Sequence, residues 1–121
     1  MRQLITAALT ASFFASPALA QVVELRVADA QPMFDEASQE GSVLIRLDRE
    51  GAKAFALFTR NHLQKPINIL IDGQIRVTPI IREPIMTCYF PINGLKSASA
   101  AAALSARLAS GRSVLTVAPA N

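Results

Sequence analysis

The chain has 121 residues, about half of them apolar, and its 12 Lys and Arg against 9 Asp and Glu leave a formal net charge of +3. That length holds one small domain with its own core and leaves no room for a second. The bases are spread among acidic neighbours, and one Tyr with no Trp offers little for bases to stack on, which excludes the usual footprint of a nucleic-acid binder.

Residues 1–20 open with one base, Arg2, continue through an apolar run over 4–15 and end in Ser16-Pro17-Ala18-Leu19-Ala20. This is the pattern of a secretory signal peptide, with cleavage expected after Ala20. The run is shorter than the ~20 residues of a spanning helix, and no Cys follows the site to direct lipoprotein processing. Loss of Arg2 takes the formal charge from +3 to +2, and the mature portion carries no transmembrane segment. An exported, periplasmic domain is the expectation. In that oxidising compartment Cys88 has no partner in the chain, so it is read as a buried inert thiol, with an intermolecular bridge or a reactive thiol as the alternatives.

Residues 21–41 read as an N-terminal strand followed by an acidic loop. Val23, Leu25 and Val27 alternate with polar neighbours over 22–28, the period of a half-exposed strand. Pro32, Asp35, Glu36, Ser38 and Gly41 then make 31–41 a polar, breaker-rich connection, expected to be a mobile loop. From 42 to 121 the pattern is that of one α+β domain. A strand over 42–47 leads to Asp48, an N-cap candidate, with Glu50 near the positive end of the following helix dipole. The helix is expected to reach about His62, with Ala52, Phe55, Ala56, Thr59 and Leu63 as its buried stripe and Phe58 widening it, until Pro66 blocks continuation.

Two β-branched runs, 67–71 and 74–81, then flank Asp72-Gly73. The dipeptide supplies the positive φ angles of a type I′ turn, so the segment reads as a β-hairpin with Ile67, Ile69 and Ile71 on its covered face. Pro79 and Pro84 cannot donate to a ladder, which assigns the second strand to an edge or breaks it near its end. A strand over 85–92 ending at an Asn93-Gly94 turn, an Ala-rich helix over 98–109 capped by Ser97, and a last strand over 113–117 complete the chain. In the second helix Ala100, Ala101, Leu104 and Leu108 form the buried stripe, and Ser110-Gly111 is the stop. This order predicts an antiparallel sheet with two helices packed on one face, ferredoxin-like or split βαβ.

Chemistry-bearing residues are sparse. His62, the only His, falls at a helix end, where it is expected to meet the helix terminus or solvent. One His, one Cys and scattered carboxylates match no metal-ligand spacing, and capping accounts for Asp48 and Glu50 without general acid–base work. Neither a catalytic residue nor a cofactor or metal site is predicted. Arg82-Glu83 stands out, since it interrupts an apolar run between Pro79 and Pro84. Charges and Pro at a margin protect an edge from aggregation, and an edge of this kind can also receive an extended polypeptide. Val77, Thr78, Pro79, Arg82, Glu83 and Pro84 are the candidate contact residues.

Several motifs in order carry a family resemblance: Leu47-Asp48, Gly51-Ala52 with Phe55 and Thr59, Leu70-Ile-Asp-Gly73, Pro79-Ile-Ile-Arg-Glu-Pro-Ile85, Ile92-Asn-Gly94 and Leu108-Ala-Ser-Gly111. Over 43–118, and more weakly over 22–32, the chain resembles the head region of the first periplasmic domain of the SecD subunit of the protein translocase. Met86-Thr-Cys88 stands where that family has Gly-Gly, and the second helix starts with Ala rather than acids. The resemblance implies that family members couple the proton gradient to late steps of export through membrane segments, which the mature portion lacks. It implies for this chain a non-enzymatic head that contacts unfolded or exported polypeptide, or an envelope protein, through residues 77–84. A small-ligand or hydrolytic site and a structural, oligomeric module of the envelope are the other readings; neither the partner nor the oligomeric state follows from the residues.

Overall fold

Arg26 alone separates two strands that pair in different sheets. The computed structural model describes residues 22–120, so the expected signal peptide and its cleavage site lie outside the described residues. The strands β1 (Val23–Leu25) and β2 (Val27–Asp35) are followed by β3 (Glu40–Leu47), helix α1 (Arg49–Arg60), β4 (Ile67–Ile71), β5 (Gln74–Val77), β6 (Tyr89–Leu95), helix α2 (Ala98–Ala109) and β7 (Leu115–Pro119). One sheet runs β1-β7-β4-β5 and the other β2-β3-β6, every pair antiparallel. The α+β class is thus observed, with its antiparallel strands divided between two sheets.

The alternation of β-branched residues sets which faces are covered. Ile67, Ile69 and Ile71 are buried along β4, as are Val43, Ile45 and Leu47 along β3. Both sheets share one core with Phe55, Phe58, Leu104 and Leu108 from the helices. α1 packs against β1 and β3, and α2 lies across β2, β3 and β6. Phe55 of α1 meets Phe90 of β6 with ring centroids 5.3 Å apart, tilted at 42°.

The start of α1 explains the crossover at Arg26. Asp48 Oδ1 accepts a hydrogen bond from Gly51 N at 2.8 Å, its Oδ2 lies 3.2 Å from Arg26 Nε, and its backbone N donates to the Arg26 carbonyl at 3.0 Å. A Cβ on Gly51 would stand 2.5 Å from that same carbonyl oxygen, so only glycine lets the helix start press onto the crossing strand. Asp48 is therefore the cap the residue pattern predicts. α2 runs over the expected residues, with Ser97 Oγ accepting from Ala100 N at 3.1 Å.

Five local expectations are corrected. The acidic segment 31–41 is not a loop: β2 continues to Asp35 and pairs with β3 from Asp35↔Glu40 through Ala30↔Ile45, because a full ladder of backbone bonds outweighs the polar composition. Its turn is built by Asp35, whose carboxylate accepts from Ala37 N and Ser38 Oγ. Leu63 is exposed, since α1 ends at Arg60 and the buried stripe is Gly51, Phe55, Phe58 and Thr59. In α2 Ser105 takes the place expected of Ala100, burying its hydroxyl by donating to the Ala102 carbonyl. β6 begins at Tyr89 rather than at residue 85, and Asn93-Gly94 lies inside it, with Gly94 at φ 81° where the register with β3 shifts between Gly41 and Val43. The last strand starts at Leu115, because Ser113 and Val114 are engaged with the hairpin turn described below.

Candidate functional site at the sheet edge

β5 is the terminal strand of the four-stranded sheet, hydrogen-bonded to β4 and to no other strand of the described residues. Asp72 at φ 53° and Gly73 at φ 82° make the two-residue turn that leads into it. Ile71 and Gln74 close the hairpin, so the next pair, Leu70 and Ile75, is the non-bonded one, and the N–H and C=O of Ile75 face away from β4. The Ile75 side chain is 57% exposed.

Both ends of this edge are tied down. At the turn, Asp72 Oδ1 accepts from Val114 N at 2.8 Å and Oδ2 accepts from Ser113 Oγ at 2.7 Å, while Arg107 Nε donates to Ser113 Oγ at 3.2 Å. The Val114 amide, then the Ser113 hydroxyl, and to a lesser extent the charges of Arg107 and Arg76, hold the Asp72 carboxyl below its ordinary pKa. At the exit, β5 gives way after Val77 because Pro79 brings no donor. Pairing nevertheless persists in irregular form: Ile67 N donates to the Pro79 carbonyl at 3.0 Å, Ile81 N to the Lys65 carbonyl at 3.0 Å, and Gln64 N to the Ile81 carbonyl at 2.6 Å. Ile81 is buried beneath this strap, whereas Ile80, 52% exposed, points outward.

The six candidate residues follow that strap. Val77, Pro79 and Pro84 are half-buried, while Thr78, Arg82 and Glu83 are exposed. Thr78 Oγ1 donates to Asn68 Oδ1 at 2.8 Å, and the Arg82 carbonyl accepts from Gln64 Nε2 at 3.4 Å. Among the described residues the ion pair is Arg26 with Asp48, so the charges of Arg82 and Glu83 are left to solvent. The residues thus share one margin without forming a pocket.

The residue pattern places Thr59 in the buried stripe without naming a partner for its hydroxyl, and it singles out neither Ile75 nor Ile80. Thr59 is fully buried; its Oγ1 donates to the Ala56 carbonyl at 3.1 Å and accepts from Ile85 N at 2.9 Å, fastening the end of the strap to α1. A hydroxyl inside an apolar helical stripe is the signal that points to such a partner. His62 sits at the helix end as expected, its Nδ1 donating to the Phe58 carbonyl at 2.7 Å and its ring stacked on Phe58 with centroids 4.2 Å apart. Cys88 is half-buried and free, and its carbonyl accepts from Leu47 N at 2.8 Å. Among the described residues no three His, Cys, Asp or Glu side chains are grouped to hold a metal ion.

Two antiparallel sheets joined by two helices, with polar side chains committed to caps, turns and straps, define a small α+β domain whose distinctive feature is an open sheet edge tethered at both ends. The family described as SecDF, P1 head subdomain, matches residues 18–113, and the chain belongs to that family. It is 34% identical over 85 residues to the protein translocase subunit SecDF of Thermus thermophilus, covering 70% of this chain and 11% of that protein. Similarity to SecD of Treponema pallidum is 40% over 63 residues, 52% of this chain and 11% of the relative. The structure is also similar to a solved SecDF described as a membrane component that enhances protein export, with a TM-score of 0.63 and 33% identity over 70% of this chain and 38% of that one. The chain therefore spans a small part of the relatives it matches. No helix among the described residues is long and apolar enough to cross a membrane.

Proposed function

We propose that this chain is an exported, periplasmic and non-enzymatic head-type domain that binds extended polypeptide along β5 and the strap over residues 77–84. The observation that carries the reading is the open outer side of β5, held in place by Asp72 at its start and by Gln64 and Thr59 beyond its end. A strand fixed at both ends loses little further entropy when a second strand adds to it, and its outward amide and carbonyl groups supply sequence-independent affinity. Ile75 and Ile80 add apolar contact on the same margin. Pro79 and the Arg82-Glu83 pair limit how far a strand can extend, which discourages indefinite edge-to-edge stacking. The relatives are named as protein translocase subunits, and this supports emerging or unfolded exported polypeptide as the partner.

The test is site-specific crosslinking in cells from a photoreactive residue at Arg82, with a second probe at Lys53 on the exposed face of α1. Capture of unfolded exported proteins from position 82 and not from 53 is the expected result. Equal capture from both positions, or none from 82, rejects the sheet edge as the contact.

A further inference from the structure

Asp72-Gly73 and Asn93-Gly94 are the two places in the chain where an Asp or Asn precedes a glycine. In such a pair the side-chain Cγ can reach the backbone N of the glycine to close a five-membered ring, and no Cβ on the second residue stands in the way. Both glycines are uncrowded, since a Cβ built at either would meet nothing within 4 Å. The residues alone therefore do not separate the two pairs. The fold does.

The Asp72 carboxylate is occupied on both oxygens, Oδ1 by Val114 N at 2.8 Å and Oδ2 by Ser113 Oγ at 2.7 Å. These bonds fix its side chain and keep it ionised, and an anionic carboxylate is a poor target for a nucleophile. Asn93 is the opposite case. It is exposed and neutral, and among the described residues its side-chain amide has no hydrogen-bond partner, whereas Asn68 Oδ1 accepts from Thr78 Oγ1 at 2.8 Å. In the ladder Val43 stands opposite Ile92 and Gly41 opposite Leu95, so neither Asn93 nor Gly94 has a register partner on β3. β6 is also an outer strand, with no strand of the described residues on its other side. The dipeptide is the slack of a bulge, and rotation about Asn93 is not resisted by a paired residue.

We propose that Asn93 is a site of spontaneous covalent modification, deamidating through a cyclic imide formed with the backbone N of Gly94. Hydroxide takes the Gly94 N–H proton, the amide N attacks Asn93 Cγ, and the side-chain nitrogen leaves as ammonia after taking a proton from water. Water then opens the ring at either carbonyl, giving aspartate or isoaspartate; the sum is one water consumed and one ammonia released, with no change of oxidation state. Isoaspartate lengthens the main chain of β6 by one carbon between Ile92 and Leu95, both buried, so the two ends of the bulge no longer keep their register with β3 together.

Incubation of the folded chain in mildly alkaline buffer, followed by peptide mapping with mass spectrometry that distinguishes isoaspartate, tests the proposal, with the urea-unfolded chain alongside. Conversion at Asn93 should exceed that at Asn61 and Asn68 by at least about tenfold, and in the folded chain should run within about tenfold of the unfolded rate. At Asp72 folding should suppress isoaspartate formation by more than that. Asn93→Gln, whose longer side chain would have to close a six-membered ring, should abolish the product. The modified fraction, separated by its added negative charge, should show faster amide exchange at Ile92 and Leu95. Folded-state conversion at Asn93 slower than the unfolded rate by more than about tenfold overturns the proposal, as does isoaspartate at Asp72 equal to that at Asn93 in the folded chain. Unchanged exchange at Ile92 and Leu95 in the modified fraction overturns the loss of register.

Discussion

Replacing Thr59 by Val changes almost nothing in shape and removes the hydrogen bond that ends the strap. Thr59 is fully buried, and its Oγ1 accepts from Ile85 N at 2.9 Å. Val keeps the branched volume inside the α1 stripe but cannot accept, so the Ile85 amide loses its partner in a half-buried setting. A buried donor left unpaired costs ~1–3 kcal/mol, and partial access to water at Ile85 places this case at about 1–2 kcal/mol. For a domain of this size that lowers the thermal midpoint by roughly 5–15 °C. The loss should also be local: amide exchange at Ile85 should accelerate more than exchange in β4 or β7, which keep their own ladder bonds. Thr59→Ser retains the acceptor and should keep the Ile85 amide protected, while losing a methyl worth about 1 kcal/mol. Thermal unfolding together with amide exchange by NMR reads both effects. A Thr59→Val protein with an unchanged midpoint and an Ile85 amide as protected as before would refute the assignment of this hydroxyl as the strap's anchor.

Other outcomes follow from the same geometry. The Asp72 carboxyl has its pKa lowered in the folded state, so over the window between that value and the ordinary carboxylate range the unfolded chain binds more protons; its contribution is full above about pH 4 and is lost as pH falls through the folded value. Asp72→Asn, which still tolerates the turn's positive φ, should flatten this part of the urea-midpoint profile against pH, and an equally steep acid limb would contradict the role. Gly51→Ala should destabilise by about 1–3 kcal/mol despite alanine's better helix propensity, because the new Cβ meets the Arg26 carbonyl at 2.5 Å; a stabilised variant in urea unfolding would mean the crossover yields freely. Asp48→Ala should cost ~0.5–2 kcal/mol in the same assay through loss of the α1 cap, and no change would place the cap elsewhere.

Elements specified by local chemistry were legible in the residues. The Asp72-Gly73 turn with isoleucines at every second position of β4, the Asp48 cap and the Ser97-capped α2 are each fixed within a few neighbours, so one sequence suffices to read them. β2 was hidden because only its pairing with β3 makes an extended strand of Pro32, Met33, Phe34 and Asp35; pairing across the chain leaves no periodic mark in an exposed edge strand. Gly94 showed its positive φ but not its purpose, since a bulge and a terminal turn ask the same freedom of a glycine. The margin at Arg82 and Glu83 could be placed from the prolines and charges around it. Its anchors could not, because Thr59 and Ile85 are 26 residues apart and meet only once the domain has folded.

A proline on the outward side of β5 separates strand addition, the proposed mode of binding, from every other contact the domain could make. Ile75→Pro removes an amide that faces away from β4 and therefore breaks no bond of the hairpin. Binding of an unfolded exported polypeptide should be lost while the thermal midpoint and far-ultraviolet circular dichroism stay as they were. Undiminished binding by a folded Ile75→Pro protein would mean that polypeptide does not add to β5.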